Sequence, residues 1–306
     1  MSATGATNIL LSIIIPAFNY AKTLPRTVES VMPQLGEDCE LIIIDDGSTD
    51  DTPVVIGVLQ ERFSGRIRSE RKPNGGSASV RNRGIELAQA DWMIFLDADD
   101  ELAEGAVERI CSHLRTHPET RFVIGGHISV SPEGKQSRHV PGQLPALPLA
   151  RVQAYLLDKK LALSNGACVM HRSVFEPGGY PEEFRSAEDI PVFVQVLANY
   201  PCSVIEAPLA LIHKHDDSLR HQFTYANAGG LKLVDEVFSP KRLPAHFQIL
   251  RRPYTVQRCL SLFRSAWLAN ESTLAKQWYR QAVLADWRVL FRWSYSRKAF
   301  RLWLRG

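Results

Sequence analysis

Two aspartates stand one residue apart directly after an apolar run that is typical of a β-strand. The run is Trp92–Leu96, and Asp97-Ala98-Asp99 follows it, with Asp100 next in the chain. Carboxylates at positions i and i+2 of a turning chain can both approach one divalent cation, and oxygen ligands suit Mg²⁺ or Mn²⁺. The pattern also fits a solvated turn, but a cation would relieve the repulsion among carboxylates crowded at a strand end.

Two further polar segments could bind a nucleotide. Asp45–Asp50 follows another apolar run, and its Asp and Ser residues are typical of an Asx turn or a helix cap. The functional alternative is a hydrogen bond between Asp46 and a nucleotide base or ribose. Gly75 and Gly76 permit close approach of the backbone to a ligand. Arg81 could pair with a phosphate or hold an aspartate in place, and the alternative is a flexible loop with a surface arginine.

A third acidic pair, Glu188-Asp189, opens a predicted helix much later in the chain. Carboxylates are favoured at a helix N-terminus by the helix dipole, and that alone could explain the pair. The functional alternative is a general base that takes the proton of a hydroxyl group. His213, His215 and His221 follow, and one of them could be a third metal ligand, although spacing does not assign which.

The elements that would position these residues alternate over the first 130 residues. Strands are expected at Ile9–Ile15, closed by Pro16, at Glu40–Ile44 and at Trp92–Leu96, with helical spacing between them. Such alternation predicts a mostly parallel α/β sheet flanked by helices. Ligands bind outside the carboxyl ends of such strands. The polar strand ends would therefore meet on one edge of the sheet; they are Pro16–Asn19, Asp45–Ser48 and Asp97–Asp100. Farther along, 131–148 reads as a loop and 256–303 as helical.

The C-terminal region differs in composition from the rest of the 306-residue chain. Residues 241–306 hold 14 Lys or Arg against 2 Asp or Glu, together with five of the six Trp. Basic residues interleaved with Trp suit an anionic membrane surface. The alternative is an ordinary helical subdomain packed on the body, and no nucleic-acid partner is expected.

Other features point to the cytoplasm. The five cysteines form no CxxC pair, which favours small buried residues in a reducing compartment. The apolar run Ile9–Ile15 is too short to span a bilayer, and no cleavable leader precedes it. We therefore expect a cytoplasmic protein, peripheral on the inner membrane where the C-terminal region docks.

Taken together, the segments strongly resemble the family-2 glycosyltransferases, whose fold is GT-A, over roughly residues 9–220. The matching stretches are Ser12–Asn19, Ile42–Asp50, Gly76–Gly84, Phe95–Asp100 and Glu188-Asp189. The resemblance implies a GT-A catalytic domain over residues 1–225 and a helical region over 226–306. It implies metal-dependent, inverting transfer from a nucleotide-sugar, by default a UDP-sugar, to a glycan or lipid-linked acceptor in surface-polysaccharide or lipopolysaccharide biosynthesis.

The resemblance also implies roles for individual residues. Asp189 would be the general base, supported by Glu188, and Asp99 and Asp97 would reach the Mn²⁺ or Mg²⁺ ion. His215 would be a further metal or diphosphate contact. Leu163–His171 would face the acceptor. The donor-binding residues would be Pro16, Ala17, Phe18, Asn19, Asp46, Gly76, Arg81 and Asp97.

Competing classes fit less well. A nucleotidyltransferase usually has a glycine-rich basic loop after its first strand, where this chain has Pro16–Asn19. A dinucleotide-dependent dehydrogenase would need a GxGxxG segment after a strand, which is absent from the sequence. A catalytically silent binding module is disfavoured by the intact Asp97, Asp99 and Asp189.

Overall fold

The computed structural model describes residues 9–214 and 218–304. Its centre is one mixed sheet in the strand order β3-β2-β1-β4-β8-β6-β9-β5, with β7 paired to β6. The strands are β1 (Leu11–Ala17), β2 (Cys39–Asp45), β3 (Ile67–Arg71), β4 (Trp92–Phe95), β5 (Glu101–Leu102), β6 (Phe122–Val130), β7 (Gln136–His139), β8 (Cys168–His171) and β9 (Cys202–His213).

The pairing is parallel where the sequence alternates strand and helix. β1 pairs in parallel with β2 and β4, and β2 with β3. The sheet then becomes mixed, because β8 lies antiparallel between β4 and β6, while β9 pairs in parallel with β6. The predicted mostly parallel character therefore holds for the half of the sheet that carries the Asp-rich motifs.

Two sequence predictions for strands need correction. β1 runs through Pro16 to Ala17 instead of closing at Pro16. The ladder to β4 ends at the pair Ile14–Phe95, so the N–H that Pro16 lacks would fall beyond it and no ladder hydrogen bond is lost. The expected loop over 131–148 contains β7, an exposed strand whose polar side chains carry no apolar alternation.

Helices cover both faces of the sheet, which explains the continuous apolar runs of the central strands. They are α1 (Leu24–Val31), α2 (Thr52–Arg62), α3 (Ser77–Leu87), α4 (Ala106–Thr116), α5 (Pro148–Leu156), α6 (Asp189–Asn199), α7 (Ser218–Gly229) and α8 (Lys232–Val237). The helices α1, α2 and α4 pack on the face that carries Ile13 and Ile43. The helices α3, α5, α6 and α8 pack on the opposite face, which carries Ile14 and Ile42.

The C-terminal region forms helices α9 (Arg251–Leu268), α10 (Ser272–Ala285) and α11 (Trp293–Leu304), with a 3₁₀ segment at Trp287–Phe291. These helices share a separate core that begins at Val256. Side chains from Leu233 to Tyr254 belong instead to the core of the sheet. A change of hydrophobic core therefore falls near residue 255, and the division at 225 stays a prediction. Within the described residues, no helix combines the length and apolarity needed to cross a bilayer.

The cysteines are free thiols, and four of them are buried, as expected of small apolar residues. The sulfur atoms of Cys39 and Cys111 lie 3.8 Å apart. Burial accounts for these positions without a catalytic role.

Candidate functional site

A cleft of about 400 Å³ opens at the carboxyl ends of β1, β2 and β4. It brings together seven of the predicted site residues, which are Pro16, Ala17, Phe18, Asp46, Gly76, Asp97 and Asp99. Because parallel strands end on one edge, residues 80 positions apart in sequence become neighbours. The predicted convergence of the three strand ends is therefore present in the fold.

The turn that carries the aspartates is held by the start of α1. The hydroxyl of Thr27 lies 2.9 Å from the carbonyl oxygen of Ala98 and 2.7 Å from that of Asp100. Arg26 donates to the carbonyl of Asp99 at 2.5 Å. Backbone carbonyls thus face α1, which leaves the carboxylates of Asp97 and Asp99 to line the cleft.

Negative charge is concentrated at this turn. Burial, followed by the charges of Asp97 and Asp99, raises the pKa of Asp100 to about 8. Burial and the same carboxylates also raise the pKa of Tyr20, which lines the cleft beside Asp99. A divalent cation would neutralise part of this charge, so the hard oxygen donors of Asp97 and Asp99 fit Mg²⁺ or Mn²⁺.

Among the described residues, Asp97 and Asp99 do not belong to a close group of three candidate metal-ligand atoms. Within the described residues, three candidate ligand atoms within 4.8 Å of one another occur at Asp38, Cys39 and Cys111. That group lies at the start of β2, the opposite end of the strand from Asp45. Contact with Cys111, followed by burial, raises the pKa of Cys39, so this thiol resists the ionisation that a metal ligand needs, whereas the same contact lowers the pKa of Cys111. His215, the predicted additional ligand, lies outside the described residues.

Asp46 is fixed more tightly than the sequence indicated. Its Oδ1 accepts from the ammonium group of Lys72 at 2.8 Å and from the N–H of Gly75 at 2.9 Å, and its Oδ2 accepts from the N–H of Gly76 at 2.7 Å. A carboxylate offers about four acceptor positions, so one position on Oδ2 remains for a ligand. Asp46 therefore organises the glycine loop as well as lining the cleft.

Gly76 of this loop adopts a backbone conformation that a residue with a side chain does not take without strain. Its φ of 85° and ψ of 171° lie in a region that is essentially restricted to glycine. A Cβ at this position would also fall 2.2 Å from Nη1 of Arg185. The geometry that turns the N–H of Gly76 onto Asp46 and begins α3 therefore depends on glycine.

Arg81 joins Asp97 of the cleft to Glu188 of the Glu188-Asp189 pair. It donates from Nη1 to Oε1 of Glu188 at 2.7 Å and from Nη2 to Oδ1 of Asp97 at 3.0 Å. Ser77 donates to the same oxygen of Glu188 at 2.5 Å. Arg81 is only 5% exposed and Glu188 8%. The sequence suggested that Arg81 could pair with a phosphate or hold an aspartate in place. The contact with Asp97 corresponds to the second role.

Asp189 is the first residue of α6 and is partly buried. Burial, followed by the neighbouring charge of Glu188, raises the pKa of Asp189 to about 6, although Arg81 and backbone hydrogen bonds oppose the shift. A carboxylate with a pKa near the working pH is suited to accept a proton from a hydroxyl group. The Glu188-Asp189 pair is thus more than a helix N-terminus.

The structure places Asn19 and the segment Leu163–His171 in surroundings that differ from those predicted from the sequence. Asn19 does not line the cleft; its amide oxygen accepts from the N–H of Thr49 at 2.8 Å, and its own N–H donates to Ser48. It therefore ties the end of β1 to the segment after β2. The stretch expected to face the acceptor is largely interior, since residues 165–170 are all buried.

Sequence reasoning missed several residues of the cleft. Tyr20, Arg185 and Tyr225 line it, and Lys72 holds Asp46. Tyr20 directly follows a recognised motif and could have been added to it. Arg185 and Tyr225 come from segments without any motif, so only the fold identifies them.

The fold and the cleft define a chain of the GT-A type, and comparison with known sequences places it further. The profile of "Glycosyl transferase family 2" matches residues 12–179, more than half of the chain. The chain belongs to this family.

Two curated relatives match over less than half of each chain. A "PGL/p-HBAD biosynthesis glycosyltransferase" of Mycobacterium bovis is 34% identical over 120 residues, which is 39% of this chain and 47% of the relative. The "Amylovoran biosynthesis glycosyltransferase AmsB" of Erwinia amylovora is 33% identical over 141 residues, or 44% and 46% of the two chains. The chain thus spans about half the length of the curated relatives it matches.

Solved structures match over nearly the whole chain and establish the GT-A fold. S. aureus TarS 1-349 has a TM-score of 0.66 at 17% identity, covering 90% of this chain and 80% of TarS. The mannosyltransferase PcManGT of Pyrobaculum calidifontis, in complex with GDP-Man and Mn²⁺, has a TM-score of 0.53 at 14% identity, covering 96% and 86%.

Proposed function

We propose that this chain is an inverting glycosyltransferase that moves a sugar from a nucleotide-diphosphate donor, a UDP-sugar, to a hydroxyl group of a glycan or lipid-linked acceptor. One observation carries the proposal. Asp46, Asp97 and Asp99 share a cleft, and Arg81 connects Asp97 directly to the Glu188-Asp189 pair. The two ion pairs of Arg81 thereby link the carboxylates of the cleft to Glu188, the neighbour of the proposed base.

In the proposed reaction, Asp189 takes the proton of the acceptor hydroxyl as its oxygen attacks the anomeric carbon. The new C–O bond forms on the face opposite the bond to the diphosphate, which breaks and releases the nucleoside diphosphate. The charge of Glu188 raises the pKa of Asp189 and the charge of Arg81 lowers it, so the two residues together set the pH at which the base ionises. Phe18, at 42% exposed on the cleft rim, is available to pack against the base, and Asp46 offers its remaining acceptor position to the nucleotide.

Asp99 and Asp97 would hold the Mn²⁺ or Mg²⁺ ion. When bound there, such an ion supplies positive charge to the departing diphosphate. The assignment is supported by the crowded carboxylates of the turn and by the Mn²⁺ complex of PcManGT. A UDP donor is supported by TarS, which has been crystallised with UDP and with UDP-GlcNAc.

The role in surface-glycan assembly rests on the relatives, whose names refer to PGL/p-HBAD and amylovoran biosynthesis. Both names describe glycosyltransferases of biosynthetic pathways. We place this chain in the same class of pathway, with a polysaccharide or glycolipid acceptor.

Binding of the donor should require the divalent cation. In a thermal-shift screen of UDP-glucose, UDP-GlcNAc and GDP-mannose, we expect one nucleotide-sugar to raise the Tm of the chain only when Mn²⁺ is present. Asp99→Asn should abolish that shift. Asp91→Asn is the matched control, because Asp91 precedes β4 while Asp99 follows it at the opposite end of the strand.

Mixing the donor with candidate acceptors should then release the nucleoside diphosphate. Release of pyrophosphate from a nucleoside triphosphate and a sugar phosphate would instead identify a nucleotidyltransferase. Donor binding without any transfer or hydrolysis would identify a silent binding module.

We further propose that an aromatic patch on the C-terminal region docks on an anionic membrane. The patch consists of Trp287, Phe291 and Trp293, which are 59%, 75% and 74% exposed. The C-terminal region that carries the patch is strongly basic, because residues 241–306 hold 14 basic and 2 acidic side chains, and positive charge favours binding to an anionic surface. Other aromatics of the region pack inside it, so the helical-subdomain alternative also describes part of the region.

Vesicle sedimentation tests the membrane proposal. Replacing Trp287 and Trp293 by Ser should reduce binding to vesicles that contain anionic lipid by roughly tenfold, because each Trp loses interfacial burial. The exposed Val54 and Val58 of α2 provide a control pair for substitution by Ser. Unchanged sedimentation of the Trp variant would contradict membrane docking through this patch.

A further inference from the structure

The structure contains a second large concavity that the proposed reaction does not use. It is a groove of about 920 Å³ along α9, bounded by the segment after α5 and by the 3₁₀ segment before α11. No residue that lines it also lines the donor cleft. Six basic side chains line this arginine groove, namely Lys159, Arg252, Arg258, Arg264, Arg288 and Arg292.

The positive charge of the arginine groove is poorly compensated. Among the residues that the structure describes, the acidic ones that line it are Asp158 and Asp286. Within residues 9–214 and 218–304, no ion pair involves the side chains of Arg264, Arg288 or Arg292, and none of the three has a side-chain hydrogen bond. These guanidinium groups are therefore available to a ligand from outside the chain.

Two other arginines are anchored without being neutralised. Arg252 donates to the carbonyl of Ala285 at 2.8 Å, and Arg258 donates to the carbonyls of Ala226 and Gly230. Carbonyl oxygens fix the position of these guanidinium groups but leave their charge in place. Anchored arginines hold planar donors at fixed points, which suits carboxylate or phosphate groups.

The groove includes the residue that directly follows the proposed general base. Ile190, the residue directly after Asp189, lines it, and so does Tyr254 of α9. Burial raises the pKa of Tyr254 to about 12, and the charge of Asp189 contributes to that rise. An acceptor in the groove that contacts Ile190 would thus lie one residue away from Asp189.

The spread of the arginines indicates an extended ligand. Arg252 and Arg264 lie twelve residues apart on α9, a separation of about 18 Å along the helix axis. A single phosphate could contact only one end of such an array. Several anionic groups in series would contact all of it.

We infer that the arginine groove is the acceptor subsite and that it selects an anionic saccharide, whose phosphate or carboxylate groups pair with these arginines. The inference rests on the proposed function, since it assigns the acceptor of that reaction. It gives a role to the five arginines of the C-terminal region that line the groove, which also contains Ile190, the residue after Asp189.

Fluorescence anisotropy with labelled linear polyphosphate and labelled oligo-alginate tests the inference, with dextran as the neutral probe. The wild-type chain should bind at least one anionic probe, whereas dextran should not bind. Arg264→Gln combined with Arg288→Gln should weaken that binding by roughly tenfold. Lys276→Gln combined with Arg297→Gln removes the same charge from the same region outside the groove and should change the affinity less than about twofold.

The thermal-shift screen of nucleotide-sugars distinguishes failure of the proposed function from failure of the acceptor assignment. A wild-type chain that binds no nucleotide-sugar would defeat the proposed function itself. If donor binding is intact in both double variants but they lose equal affinity for the anionic probe, the attraction is non-specific and the inference is wrong. Tighter binding of single-stranded DNA than of either anionic probe would overturn it in favour of a nucleic-acid partner. Loss of vesicle binding alone in the groove variant would overturn it in favour of lipid.

Discussion

Replacing Asp189 by Asn should lower glycosyl transfer by roughly 10²- to 10⁴-fold while the chain continues to bind its donor. The amide keeps the shape of the carboxylate but cannot accept the proton of the attacking hydroxyl. The measurement is kcat for transfer together with the thermal shift caused by donor and Mn²⁺. Loss of donor binding in the variant would assign Asp189 to the donor site instead of to proton transfer.

The pH dependence of the wild-type reaction tests the same role from another direction. The pKa of Asp189 is raised to about 6, and the base acts only when it is ionised. As far as Asp189 is concerned, kcat/KM should therefore be constant above pH 6. On the acidic side of the profile, kcat/KM should fall about tenfold for each pH unit below 6. The residual activity of the Asn variant should lack this fall.

Stability provides a control on the Asn variant. The folded-state pKa of Asp189 lies above its ordinary value of 3.8, so folding favours the protonated form and the ionised form is penalised at pH 7. That penalty is absent at low pH, grows as pH rises from about 4 to 6, and is complete above 6. The neutral Asn should accordingly keep or raise the Tm at pH 7, and a large fall in Tm would mark Asp189 as structural.

The donor half of the site could be predicted from sequence because its residues follow strands. Asp46 and Asp97 each come just after an apolar run, and parallel pairing of β1 with β2 and β4 brings those ends together. The rule needs only the strand assignments and no knowledge of side-chain contacts. The same rule applies to Asp99, whereas Gly76 was proposed because glycine permits close approach of the backbone to a ligand; both residues line the cleft.

The contacts that fix these side chains could not be predicted from the positions of the strands. Lys72 on Asp46 and Tyr20 beside Asp99 depend on where loops turn after the strands. The charge asymmetry of the C-terminal region was visible in the sequence, but its arrangement into the arginine groove follows from the packing of α9 against its neighbours. Burial and orientation decide such contacts, and a one-dimensional pattern does not contain them.

Arg81→Met should destabilise the fold by about 3–5 kcal/mol, the usual cost of removing one partner from a buried ion pair. Arg81 and Glu188 lie 107 positions apart and are both buried, so the variant leaves Glu188 without its cation in a site that excludes water. Nothing in the sequence around either residue reveals the pairing. The measurement is the free energy of unfolding from a urea titration.

A double-mutant cycle distinguishes the ion pair from simple loss of packing. Glu188→Gln in the Arg81→Met background should recover part of the lost stability, because the uncompensated buried charge disappears. Arg81→Lys keeps a charge but lacks the fork that joins Glu188 to Asp97, so it should fold while transferring more slowly. Arg81 also opposes the rise in the pKa of Asp189. In any active variant that loses this charge, the fall of kcat/KM on the acidic side should therefore begin at a higher pH. Equal stability of the single and double variants, with no shift in this fall of kcat/KM, would show that Arg81 neither pairs with Glu188 nor acts on the base.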